Sequence, residues 1–314
     1  MAATTGTGYT KTDRRGAFAV AGGAAIWGIF WLPLRYLHEA GVEGLWAIAL
    51  IMGMALLPAL LLLLIKRQEV KSLRHPDSWL VGIAMGVATV LYFAGLLYSE
   101  VIKVIFLFYL LPVWTTLSAR IIYHEPIRRE QLLVILAALI GLWLLLGGGT
   151  RLPLPENIGD WCGIAAGMCW GISLSLIRGR EQAGPYASTA TTIFVGFVLA
   201  LITALFLQPG MPVGSSAQVA TSMSVDLKST IENWPAIIAL ALVFGLVVLY
   251  PSMLGQIWGA RRLPSPTAAL LTMTEIVIAT LSTVLILGNT LPPVAWLGGA
   301  IIVFAVCLDL WLQR

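Results

Sequence analysis

Charge is what this sequence has least of. Asp, Glu, Lys and Arg together make up 11% of its 314 residues, against about 25% in soluble domains, and a water-facing surface cannot be built from so little. Histidine and cysteine are equally scarce, at three each. Cys162, Cys169 and Cys307 all fall inside apolar runs, where a thiol behaves as a small buried hydrophobe. Neither a disulfide framework nor a metal site is indicated. His38, His75 and His124 lie at the ends of such runs, and His124-Glu125 is not followed by a second His four positions on, as a zinc-protease helix requires. No Ser/His/Asp or paired-Asp arrangement falls at a shared depth. These absences argue against an enzyme, and no cofactor or metal is expected. The net charge of +4 resides in short loops between apolar runs, which points to membrane topology and away from nucleic acid.

Apolar residues dominate what is there, at 59%, with a mean hydropathy of +0.90. Runs of about 20 residues, the length that crosses about 30 Å of hydrocarbon, recur from Phe18 to the C-terminus. Ends set by charge, Pro or Gly predict spans over 17–37, 44–65, 79–99, 101–122, 131–149, 159–178, 187–207, 235–257, 266–287 and 294–312. The stretch from Trp79 to Ile122 is too long for one crossing and divides at Ser99-Glu100. Arg14-Arg15 reads as the basic flank of the first span, because the run behind it is too long for a cleaved signal. Residues 1–15 are expected to form a disordered cytoplasmic tail, and Gln208 to Asn233 a mobile outer loop.

An even number of spans puts both termini on one side. Fifteen of the Lys and Arg residues fall on that side and four (Arg35, Lys103, Arg151 and Lys228) on the other. The excess of basic residues marks the cytoplasmic face, so both termini are expected in the cytoplasm.

The chain also repeats itself. A shift of 143 positions aligns Trp27-Gly28-Ile29 with Trp170-Gly171-Ile172, Arg35 with Arg178, and Ala40-Gly41 with Ala183-Gly184. Further on the shift becomes 164, pairing Tyr109-Leu110-Leu111-Pro112 with Met273-Thr274-Glu275-Ile276, and His124-Glu125-Pro126 with Gly288-Asn289-Thr290. An odd number of helices per copy inverts the second copy in the membrane, an architecture found among secondary transporters. The expected fold is therefore all-α, with ten transmembrane helices in two inverted five-helix repeats around a central cavity. The repeats are expected over 16–149 and 158–312, joined by a linker over 150–157.

Trp27-Gly28, Trp170-Gly171, the mid-helix Pro112 and the acidic Glu125 closing the fourth span resemble the drug/metabolite transporter superfamily, in its ten-helix branch with two EamA-type repeats. That family often ends this span with Leu-Gly-Glu. Here Tyr123-His124-Glu125 and Leu287-Gly288-Asn289 depart from it. Tyr109-Leu110-Leu111-Pro112 and the abundant aromatics are similar to the aromatic amino acid exporters. The resemblance implies export of amino acids or other metabolites through a central cavity by alternating access, in the cytoplasmic membrane of a bacterium.

A carrier needs aromatic or polar groups near mid-bilayer and helices that bend. Trp27 and Trp170 lie near the centre of their spans, placed either to stack on a substrate ring or to pack beside their glycines. Glu275 is the carboxylate placed nearest the middle, as a proton-coupling or substrate-amine site or as a neutral carboxyl bonded between helices. Lys103 reads as a counter-ion for a substrate carboxylate, as a partner of Glu100, or as a snorkelling side chain. Tyr92, Tyr98, Tyr109 and Tyr250 are candidates to line a pocket or to pack. Of Ser173 and Ser175, two apart on one helix, only one is expected to meet a cavity. Pro33, Pro58, Pro112 and Pro251 are hinge or static-kink positions, and the first, third and fourth are the candidate gates. The expected partners are a small-molecule substrate and the lipid bilayer, with no nucleic acid, and the chain is expected to act as a monomer. A channel is the rival reading, and would show a continuous pore.

Overall fold

The computed structural model describes residues 13–42, 44–148, 153–180, 182–207, 234–288 and 290–313. Residues 1–12 of the predicted tail (1–15) and the loop from Gln208 to Asn233 lie outside them, while Arg14 and Arg15 already belong to the first helix. Every regular element among the described residues is helical. Nine of these helical stretches are long and apolar enough to cross a membrane: Arg14–Glu39, Gly44–Ile65, Pro76–Tyr98, Val101–Tyr123, Ile158–Gly179, Pro185–Leu207, Trp234–Ala260, Ser265–Leu287 and Pro293–Leu312. A further apolar helix of 17 residues, Arg129–Leu145, packs along the last of them.

Four of the predicted spans are not single helices. The first divides into α1 (Arg14–Trp27) and α2 (Trp31–Glu39), the fourth into α6 (Val101–Phe108) and α7 (Leu111–Tyr123). The eighth consists of α11 (Trp234–Phe244), a π-helical turn at Gly245–Leu249 and α12 (Tyr250–Ala260). The ninth divides into α13 (Ser265–Thr272) and α14 (Thr274–Leu287). The unbroken members are α3 (Gly44–Ile65), α5 (Pro76–Tyr98), α8 (Arg129–Leu145), α9 (Ile158–Gly179), α10 (Pro185–Leu207) and α15 (Pro293–Leu312), with a short α4 (Arg67–Val70) after α3.

Proline accounts for three of the four interruptions. Lacking an N–H, Pro33, Pro112 and Pro251 cannot bond back to the residue four before them, and the chain tightens or widens beside each. Leu32 bonds to the Ile29 carbonyl (3.0 Å) and Val113 to Leu110 (2.9 Å), both i to i−3. Ahead of Pro251 the Tyr250 amide reaches back five residues to Gly245. The ninth span breaks at Met273 without a proline, through an i to i−3 bond to Leu270. Such local departures inside a helix mark hinges. Pro58 differs: α3 runs through it unbroken.

Helix ends follow local chemistry. Asp13 caps α1 by accepting from the Arg15 amide at 2.9 Å. Asn157 and Asp160 form a reciprocal capping box at the start of α9. Large apolar side chains such as Phe18, Leu61, Leu64, Leu133 and Leu285 face outward, as a surface meeting lipid requires.

Several close approaches recur under the two sequence shifts. A Cβ on Gly28 would meet the Glu275 carbonyl oxygen at 2.5 Å and the Ala279 amide at 3.0 Å. One on Gly171 would meet the Leu111 carbonyl at 3.0 Å and the Thr115 amide at 2.9 Å. A Cβ on Gly259 would meet the Gly16 carbonyl oxygen at 2.6 Å, and one on Gly95 the Gly159 carbonyl oxygen at 3.0 Å. His124 and Gly288, the paired caps of α7 and α14, are both left-handed, with φ of 56° and 70°.

Candidate functional site

Three of the four helix breaks bring aromatic or acidic residues to one place. Trp27 and Phe30 bracket the break after α1, Phe108 and Tyr109 stand at the break after α6, and Glu275 is the second residue of α14, just past the break at Met273. Trp170 arrives from the middle of α9, and Tyr92 and Phe93 from α5.

The rings touch in a continuous chain. Trp27 stacks on Phe30 with centroids 4.8 Å apart and lies 6.3 Å from both Phe93 and Trp170. Phe93 meets Tyr92 at 5.4 Å, Tyr92 meets Phe108 at 4.7 Å, and Phe108 contacts Tyr109 at 5.2 Å and Trp170 at 6.0 Å. These separations are those of offset or edge-to-face ring pairs. Of the residues expected to line a site, Trp27, Trp170, Tyr92 and Tyr109 are thus brought together. Phe30, Phe93 and Phe108 complete the cluster and were not singled out from the sequence, although Phe30 is one turn from Trp27 and Phe93 adjoins Tyr92.

Glu275 is 9% exposed, and both Tyr92 and Tyr109 neighbour it. The buried Tyr109 hydroxyl neighbours this carboxyl and makes no other hydrogen bond. The Trp170 indole N–H is buried and unpartnered. Native structures leave few buried donors in this condition, and an unpartnered indole inside the ring cluster suits a ligand carrying an acceptor atom.

The remaining candidates lie elsewhere. Lys103 joins an ion cluster where α5, α6 and α9 meet: its ammonium is 2.6 Å from Glu156 and 3.1 Å from Asp160. Asp160 is fully buried and also accepts from the Ser99 hydroxyl and from the Glu156 amide at 2.8 Å. Asn157 donates to Ser99 at 3.0 Å. Lys103 is therefore paired with Glu156 and Asp160 rather than with Glu100; Asp160, buried in the first turn of α9, was missed in the sequence because it sits in a helix capping box. Tyr98 is half-buried at the end of α5, and Tyr250 is buried at the start of α12 with its hydroxyl unpartnered. Ser175 bonds across to Ser118 of α7 at 2.7 Å, whereas Ser173 folds back on the Trp170 carbonyl. On the opposite face of the bundle Asp13 pairs with Arg262 at 3.5 Å, both partly exposed. Among the described residues no group of three or more His, Cys, Asp or Glu could hold a metal.

Apolar helices of membrane-crossing length, several of them broken around a buried aromatic and acidic centre, define a multi-pass membrane protein of transporter type. The chain belongs to the EamA-like transporter family, within the drug/metabolite transporter superfamily: the family model matches residues 14–147 and 157–310. It is 26% identical over 209 residues to YyaM, an uncharacterised transporter of Bacillus subtilis (strain 168), a match covering 63% of this chain and 62% of that relative. A protein of known crystal structure shares the fold, with a TM-score of 0.69 and 19% identity across 96% of this chain and 99% of that one.

Proposed function

We propose that this chain is a ten-helix secondary transporter of two inverted five-helix repeats, which exports aromatic and other apolar amino acids across a bacterial cytoplasmic membrane by alternating access. Both termini then face the cytoplasm, a placement that the excess of Lys and Arg on their side supports. The observation that carries this reading is the convergence of three helix breaks on the aromatic cluster beside Glu275. Discontinuous helices at mid-membrane are where secondary transporters hold their substrates.

In this reading the substrate side chain lies among the rings of Trp27, Phe93, Phe108 and Trp170. Its ammonium meets Glu275, and its carboxylate accepts from the Trp170 indole and the Tyr109 hydroxyl. The rings touch one another in this state, so entry requires the breaks at Gly28–Phe30, Tyr109–Leu110 and Met273 to flex. A three-residue ion cluster and one ion pair support alternation. Glu156 and Asp160 tie the start of α9 to Lys103 on one face, and Asp13 ties the start of α1 to Arg262 on the other. Each links the first helix of one half to the region opening the fourth span of the other half. The recurrent Gly28–Glu275 and Gly171–Leu111 contacts support the repeat, and α8 supplies the tenth helix.

A second reading rests on the charge of the cluster, which among the described residues holds one carboxylate and no basic side chain: an amine lacking a carboxylate would also satisfy it. Counterflow in proteoliposomes decides. Saturable exchange of Trp or Phe is expected, with Glu275→Gln abolishing any dependence on a pH gradient. Exchange confined to amines without a carboxylate would favour the second reading, and ion conductance that never saturates would overturn the carrier.

A further inference from the structure

An open apolar groove of about 700 Å³ runs between α1 and α15. Both helices pack against α13 and α14, which hold them apart and form the floor. One wall carries Phe18 and Ala21 of α1, the other Val303, Cys307 and Leu310 of α15. On each wall the lining residues follow the i, i+3, i+4, i+7 spacing of a single helix face. The charged residue in the lining is Arg14, exposed at the N-terminal end of α1.

From Arg14 to Ala21 is seven residues, a rise of about 10 Å, roughly two-thirds of one leaflet of a hydrocarbon core about 30 Å thick. The groove thus starts at a guanidinium at the membrane boundary and runs inward along purely hydrocarbon-compatible walls, with Thr274 at its inner end. The Thr274 hydroxyl is spent on the backbone, donating to the Leu271 carbonyl at 2.8 Å and lying 3.4 Å from the Ala21 carbonyl, so it offers the groove no free donor. A guanidinium pairs with phosphate through two parallel hydrogen bonds, and basic residues at the surface attract anionic lipids.

We infer that this groove is a binding site for one anionic phospholipid, its phosphate on Arg14 and one acyl chain laid between α1 and α15. The floor gives the site a consequence. Leu271 and Thr274 flank the break at Met273, so a seated chain touches both arms of the hinge that carries Glu275. Lipid occupancy braces that hinge and thereby sets how readily the ninth span bends. The inference needs only a membrane-embedded chain and stands apart from the choice of substrate.

Native mass spectrometry of the purified full-length protein, offered equal phosphatidylglycerol and phosphatidylcholine, tests it. One retained phosphatidylglycerol is expected. Arg14→Gln should lower the preference for phosphatidylglycerol about tenfold, the worth of a charged hydrogen bond, while Arg14→Lys keeps part of it. Cys307→Trp, which fills the groove from its lipid-facing wall, should reduce retention of both lipids. Thermal melting of each variant confirms that it is folded. Equal retention of the two lipids by the parent, unaltered by Arg14→Gln, would overturn the site. So would a dimer that Cys307→Trp dissociates, since the groove would then be a contact between two copies of this chain.

Discussion

The carbonyl oxygen of Glu275 lies 2.5 Å from the place a Cβ on Gly28 would occupy, so α1 and α14 meet backbone to backbone. Gly171 makes the corresponding contact with Leu111 at 3.0 Å. No side chain fits between them without moving a helix. Gly28→Val and Gly171→Val are each expected to destabilise the protein by about 1–3 kcal/mol, the usual cost of overpacking, seen as a lower melting temperature in detergent. A Gly171→Val protein that melts like the parent would show that the two contacts are not equivalent.

Lys103 stands between Glu156 and the fully buried Asp160. Lys103→Ala leaves the Asp160 carboxylate without its counter-charge and should cost about 3 kcal/mol. Adding Asp160→Asn should recover part of the loss. Substrate affinity, measured by binding to the folded variant, should stay close to that of the parent, because the ion cluster lies outside the ring cluster.

Trp170→Phe keeps a ring against Trp27 and Phe108 while deleting an N–H that bonds to nothing in the protein. Stability should therefore change by less than about 1 kcal/mol, whereas affinity for an amino acid should fall by about tenfold, as expected for one lost hydrogen bond at a buried site. An unchanged affinity would assign Trp170 to packing alone.

His124 closes α7 in the left-handed region, with φ at 56°, where its counterpart in α14 is Gly288 at 70°. A side chain in that conformation costs about 1–2 kcal/mol that glycine does not incur. His124→Gly should raise the melting temperature, by an amount corresponding to about 1 kcal/mol after the added unfolded-chain entropy of glycine is taken off.

Pro112→Ala restores an N–H that can bond to the Phe108 carbonyl and make the fourth span continuous across Tyr109–Leu110. Transport should slow with little change in substrate affinity. Pro58→Ala, in a helix that already runs unbroken, should leave the rate near that of the parent.

Much of the architecture was legible because the governing signal is local. A run of about 20 apolar residues is long enough to cross hydrocarbon, and the described helices reproduce such runs, with α5 starting at Pro76 where the sequence reading began at 79. Prolines marked three of the interruptions, since the missing N–H acts within four residues. The break at Met273 carries no such mark and came only from the packed structure. Met273 is fully buried and lies at the position paired with Tyr109 by the second shift.

Sequence alone determined that the chain is a membrane protein, roughly where it crosses, and which residues are unusual for that setting, among them Trp27, Trp170 and Glu275. Only the tertiary structure decided which of them meet: Trp27, Tyr92, Tyr109 and Trp170 join one cluster near Glu275, while Lys103 binds Asp160 and Tyr250 stands apart. The physical reason is the solvent. In water a helix shows its inner face by an apolar stripe, but lipid is as apolar as a helix-helix contact. In α3, Leu57, Leu60, Leu61 and Leu64 face outward while Leu45, Ile48, Ile51 and Met52 are buried. Side-chain chemistry alone does not tell the two sets apart, and the packed neighbours do.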